Sequence, residues 1–176
     1  MRAETDRSKL EAFMAALARC VRGGGCIYLT GGATAVLHGW RAMTIDIDLK
    51  PDPEPPGFFE ALAHLKEELD INIELAYPDQ FIPALPGWRE RSRFIRREGP
   101  LEFFHYDLYG QALAKLQRRH DRDLRDVQAM RQAGLIQVDR LQQLFEAMAP
   151  DLIRYPAVDA PSFRAVVREF CQAPRT

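Results

Sequence analysis

The chain has 176 residues, 47% of them apolar and 28% charged, with 24 basic against 25 acidic side chains and a formal net charge of −1. That is an ordinary globular balance for one domain, or one domain with a helical appendage, and it excludes a global basic field for nucleic acid. Three scattered cysteines without a C-x-x-C pair, a polar amphipathic start and the absence of any membrane-length apolar run lead to an expectation of a cytoplasmic protein with no membrane partner.

The predicted elements follow in chain order. Lys9 to Val21 carries Leu10, Phe13, Met14, Leu17 and Val21 at helical spacing, and Gly23-Gly24-Gly25 ends that helix. Cys26 to Thr30 predicts a short strand, Ala33 to Trp40 a brief helix stopped near Gly39, and Thr44 to Leu49 a second strand. A proline-rich loop, Lys50 to Gly57, leads into an amphipathic helix from Phe58 to Leu69. Ile71 to Ala76 alternates as a half-buried strand, "YPDQFIPALPGW" is irregular, and "RSRFIRREGPLEFFHYDLY" predicts a hairpin turning at Glu98-Gly99-Pro100. From Gly110 onward the pattern is helical: one long helix over Gln111 to Gln132, a second over Val138 to Ala149, and a third over Ser162 to Cys171 started by Asp159 and Pro161. The expected class is therefore α/β (α+β): a small mixed sheet domain over residues 1–109 flanked by helices, and a C-terminal helical tail over 110–176.

The chemistry concentrates in "YLTGGATAVLHGWRAMTIDIDLK". Strand residues two apart share a face, roughly 6.5–7 Å from each other. Asp46 and Asp48 therefore point the same way, and Ile45, Ile47 and Leu49 point the other. Two carboxylates that close repel each other unless a cation lies between them, and Mg²⁺ commonly takes one or two carboxylates together with substrate phosphates. Upstream, Gly31-Gly32 sits between a strand end and a helix start, where backbone amides and the positive helix end favour phosphate, with the Thr30 and Thr34 hydroxyls nearby. Alone, each feature has a bland reading, an acidic strand face or a tight turn. Together they match what magnesium-dependent phosphoryl chemistry requires.

At these residues the chain resembles the DNA polymerase β-like nucleotidyltransferase superfamily: a hydrophobic strand, Gly-Gly or Gly-Ser, a short helix, then D-x-D on the next strand. More narrowly, Gly31, Gly32, Gly39, Arg41, Thr44, Asp46 and Asp48 resemble the AbiEii-related bacterial nucleotidyltransferase-like proteins of toxin–antitoxin systems. The resemblance implies an enzyme that moves a nucleoside monophosphate from a nucleoside triphosphate to a hydroxyl of an RNA, a protein or a small molecule. It implies Mg²⁺ or Mn²⁺ as cofactor and a cognate toxin or antitoxin as partner. Asp46 and Asp48 would be metal ligands, with Gly31, Gly32, Thr30, Arg41 and Thr44 at the nucleotide. It also implies a third carboxylate, for which Glu74 is the candidate and Asp107 the runner-up, the latter reading equally as a helix N-cap. In the tail, Lys115, Arg122 and Asp126 fall on one face of the predicted long helix and resemble the family's basic and acidic helix positions at the triphosphate; the bland reading is a surface salt-bridge ladder. The alternative function is a non-catalytic nucleotide- or partner-binding module on the same fold.

Five arginines between Arg89 and Arg97 form a basic run that reads either as a guide for nucleotide or RNA or as a solvated face. Trp40, Tyr77 and Trp88 read as stacking or packing residues. His38, His64, His105 and His120 make no zinc spacing.

Overall fold

The computed structural model describes residues 3–175. Its class is the expected one, a mixed five-stranded sheet flanked by helices with a helical C-terminal region. The chain divides into two compact units. One takes the residues up to Tyr77 together with Ser92–Tyr106; the other takes Pro78–Arg91 and the chain from Asp107 onward. Segment 78–91, which lies within the sheet domain on the sequence reading, thus groups with the helices.

In the first unit, α1 (Arg7–Cys20) begins at Asp6, whose carboxylate accepts a hydrogen bond from the Lys9 amide at 2.9 Å. There follow β1 (Gly25–Thr30), α2 (Gly31–His38), β2 (Asp46–Pro51), α3 (Phe58–Glu68) and β3 (Asn72–Glu74), and then, after the 78–91 segment, β4 (Arg93–Glu98) and β5 (Leu101–His105). The sheet order is β3-β2-β1-β5-β4. The middle strand β1 runs antiparallel to β2 and parallel to β5, β2 is parallel to β3, and β4 and β5 form the expected antiparallel hairpin. Alternation decides the faces. Ile27, Leu29, Ile47, Leu49, Ile73, Leu101 and Phe103 are buried and join one core with Leu10, Phe13, Met14 and Leu17 of α1 and Phe58, Ala61, Leu62 and Leu65 of α3. Each such large side chain contributes roughly 1.5–3 kcal/mol by leaving water, so this face locks the register of β1, β2, β3 and β5.

The second unit holds α4 (Trp88–Arg91), α5 (Leu108–Arg118), α6 (Asp121–Gln132), α7 (Val138–Met148) and α8 (Ala160–Gln172). α8 starts at Asp159 with Pro161 in its first turn, as the sequence predicts. Phe145 of α7 meets Phe163 of α8 edge to face at 5.0 Å. The predicted single helix over Gln111–Gln132 is two helices. Arg119 adopts a left-handed conformation, φ 61°, and α6 restarts after His120. The break folds α6 back on α5. Lys115 Nζ then meets Asp126 Oδ2 at 2.7 Å and Asp123 Oδ1 at 3.3 Å, and Arg118 reaches Asp123 Oδ1 at 2.9 Å. In one straight helix, eleven residues would separate Lys115 from Asp126 by about 16 Å. Among the described residues, no helix is long and apolar enough to cross a membrane.

Candidate nucleotide and cation site

The sheet face opposite the apolar core carries the candidate site. Asp46 and Asp48 lie on it because Ile47 and Leu49 are drawn into the core. Register adds the neighbours. Thr30 of β1 stands opposite Asp48, and Asp48 stands opposite Glu74 of β3, so Thr30, Asp48 and Glu74 form one row across three strands. Asp46 stands opposite Asn72, and the Asn72 Nδ2 amide donates to Asp46 Oδ1 at 2.8 Å. Adjacent strands lie about 4.8 Å apart, so Asp48 and Glu74 have neighbouring backbone positions with like charge. Glu74 is exposed, and both aspartates are half-buried.

The glycine pair is explained by what touches it. Gly31 opens α2 with φ +58°, and a Cβ there would collide with Asp48 Oδ2. Gly32 is closed off by Thr44, whose Cβ would lie 2.7 Å from an added methyl group, and an Arg41 guanidinium nitrogen would lie 3.5 Å from the same point. The Asp48 carboxylate, the Thr44 side chain and Arg41 therefore all converge on the first turn of α2. Thr30 is the N-cap of that helix, but its side chain makes no cap hydrogen bond, so the helix start lacks the usual hydroxyl cap over its amides. Thr44 is itself held: its hydroxyl donates to the Asp46 carbonyl at 3.0 Å, and its backbone pairs with Thr5 through bonds of 2.8 and 2.9 Å. Gly39 ends α2 in the left-handed region, as expected of a C-cap glycine.

A buried imidazole braces the same turn from β5. His105 Nδ1 lies 3.2 Å from Thr34 Oγ1 in α2, and the Thr34 hydroxyl donates to the Leu29 carbonyl of β1 at 3.3 Å. The His38 ring sits 4.4 Å from that of His105 and stacks on Trp40. Burial, with His38 and Arg93 nearby, pushes His105 down to about 3, so it is neutral at physiological pH. No zinc-type spacing marks this cluster in the sequence, and it became visible only when α2 and β5 were brought together.

The remaining expected residues lie in the helical unit. Asp107 is the N-cap of α5: its Oδ1 accepts from the Tyr109 amide at 3.2 Å, and the Arg91 fork binds Oδ2 at 2.7 and 3.2 Å. Burial pushes the Asp107 carboxyl up, and Arg91 and the helix amides pull against it. Lys115 and Asp126 are buried against each other with Asp123, and Arg122 is exposed. The shared face assumed Arg122 within a continuous helix. The break at Arg119 puts Asp123 there instead, a residue the sequence reading passed over. The arginine run is split as well: Arg91 goes to Asp107, and Arg96 pairs with Glu11 and Glu98.

As a cation site, the sheet face offers hard oxygen donors on adjacent strands beside a glycine cradle that a side chain would fill. Among the described residues, no three His, Cys, Asp or Glu side chains are drawn into one metal-holding cluster. Mg²⁺ needs only one or two carboxylates when phosphates and water complete its shell, so the donor set fits such an ion.

Compared with known protein families, residues 10–173 match the family described as nucleotidyltransferase of unknown function (DUF6036). The chain belongs to that family. No curated protein and no solved structure matches it. Membership in this nucleotidyltransferase family covers nearly the whole described chain, so both units, and not the sheet alone, are part of the family's shared architecture.

Proposed function

We propose that the protein is a divalent-cation-dependent nucleotidyltransferase whose reaction centre is the row Thr30–Asp48–Glu74 with the glycine turn beside it. The observation that carries this is the contact between Gly31 and Asp48, which sets a helix start suited to phosphate directly against a carboxylate suited to a cation. In this reading the Gly31 and Gly32 amides and the Arg41 guanidinium take the phosphates of a nucleoside triphosphate. Asp46, Asp48 and Glu74 would hold Mg²⁺ or Mn²⁺; when bound, such an ion neutralises phosphate charge and favours the attacking hydroxyl as its oxyanion. The acceptor hydroxyl, on an RNA, a protein or a small molecule, attacks the α-phosphorus. The new P–O bond forms as the bond to the β-phosphate oxygen breaks, and pyrophosphate leaves. Glu74, exposed at the row's end, takes the hydroxyl proton or completes the ligand set. Lys115 and Asp126 enter this proposal as the clasp of the helical unit, and a toxin–antitoxin setting accords with the AbiEii-like residues.

The test is transfer of an α-labelled nucleotide by the protein and by its Asp46→Asn and Asp48→Asn variants, each first shown by thermal melting to be folded. Loss of transfer in both is expected; full activity in both overturns the proposal. One observation favours a second reading, a binding module without turnover: the three carboxylates are not gathered into one cluster. That reading predicts nucleotide binding indifferent to Mg²⁺, with no label transferred.

A further inference from the structure

We propose that Asn72 is a positioning residue of the cation site, acting through Asp46. The inference rests on the reading above, that these carboxylates bind a divalent ion. The face holds two cross-strand pairs of different character. Asp48 opposite Glu74 sets acid against acid. Asp46 opposite Asn72 sets acid against amide, closed by a 2.8 Å hydrogen bond.

An ionised carboxylate has two oxygens and rotates freely unless something holds it. Asn72 Nδ2 holds Asp46 by Oδ1 and leaves Oδ2 outside that hydrogen bond. The amide cannot itself take a proton or carry charge, so it orients Asp46 without competing for the cation. An aspartate at position 72 would instead set a second carboxylate against Asp46, like charge opposite like charge. The core-facing Ile73 between Asn72 and Glu74 is buried at 3% exposure and keeps both side chains on the site face. Partners of this kind, which hold a ligand rather than the metal, typically account for 10–100-fold in metal affinity.

The experiment is a titration of the full chain with Mn²⁺, followed by its paramagnetic signal, in the presence and absence of ATP. Melting temperature is read on the same samples. Asn72→Ala should bind Mn²⁺ about tenfold or more weakly at a melting temperature within a few degrees of the unaltered protein, and Asn72→Gln, which keeps an amide donor, should recover part of the loss. Unchanged Mn²⁺ affinity in a folded Asn72→Ala protein, with binding lost in Asp48→Asn, overturns the role of Asn72 and leaves the cation site standing. Equal loss in Asn72→Ala and Asn72→Gln also overturns it, since the amide then contributes nothing specific. Absence of Mn²⁺ binding by the unaltered protein, with or without ATP, overturns the cation reading and this proposal together.

Discussion

Gly31 and Asp48 constrain each other at the start of α2. Gly31 has φ +58°, a conformation that costs a side-chain-bearing residue about 1–2 kcal/mol, and Asp48 Oδ2 occupies the space a methyl group would need. Gly31→Ala is therefore expected to destabilise the fold by about that amount and to reduce transfer far more than stability, because Asp48 must move. Urea unfolding and label transfer on the same protein check it. His105 supplies a pH prediction. Its folded value, about 3, lies below the unfolded value of about 6.5. Between those values the unfolded chain binds more protons, so stability is fully present above pH 6.5 and is lost as pH falls toward 3. Each pH unit in that window costs about 1.4 kcal/mol, which makes pH 5 about 2 kcal/mol worse than pH 7 for this group. Urea midpoints at the two pH values should show the drop, and His105→Asn should flatten it. Both residues differ in how far sequence reveals them. A Gly-Gly ahead of D-x-D marks a candidate site on its own, whereas His105 meets Thr34, 71 residues back in the chain, and His38 only once β5 lies beside β1.

Among the elements, those set by local pattern are the ones the sequence predicts to within a few residues. α1 and α3 follow their apolar stripes, β2 follows its alternation, and α8 follows its Asp-Ala-Pro start. The α5–α6 break has no such marker. Arg119 is neither glycine nor proline, yet it takes the left-handed conformation, and the gain lies at a distance: the turn lets two carboxylates from α6 close on the buried ammonium of Lys115. Residue-by-residue propensity reads straight through such a turn, because the compensating ion pairs do not exist until it has formed. Removing the cation should expose that dependence. Lys115→Met takes the ammonium away from Asp126, buried at 2% exposure, and leaves Asp123, buried at 5%, with Arg118, a change of the kind that costs about 3–5 kcal/mol. The double variant Lys115→Met with Asp126→Leu should recover a large part of that loss in thermal melts. Equal stability of Lys115→Met and the unaltered protein would show that the clasp contributes nothing.

For the whole molecule, balanced charge and family membership narrow the function from opposite directions. Twenty-four basic and twenty-five acidic side chains leave no general attraction for a polyanion, so the proposed recognition of phosphate would rest on local groups such as the α2 amides and Arg41. Strand order was not legible from the chain, since the parallel pairing of β1 with β5 joins residues more than seventy positions apart and no local pattern encodes it. The grouping of 78–91 with the helices was hidden for the same reason. The proposed site nonetheless stands out in the sequence, because its glycines and aspartates come from two consecutive strands and the short helix between them. The reaction proposed for that site is transfer of a nucleoside monophosphate. Its most direct test supplies the purified protein with Mg²⁺, one nucleoside triphosphate labelled in parallel at the α- or the γ-phosphate, and a cell extract separated into RNA, protein and small-molecule fractions. A nucleotidyltransferase attaches α-label in one fraction and releases γ-label only in pyrophosphate, and Asp48→Asn abolishes the attachment. Attachment of γ-label, or α-label attached undiminished by Asp48→Asn, would contradict the proposal.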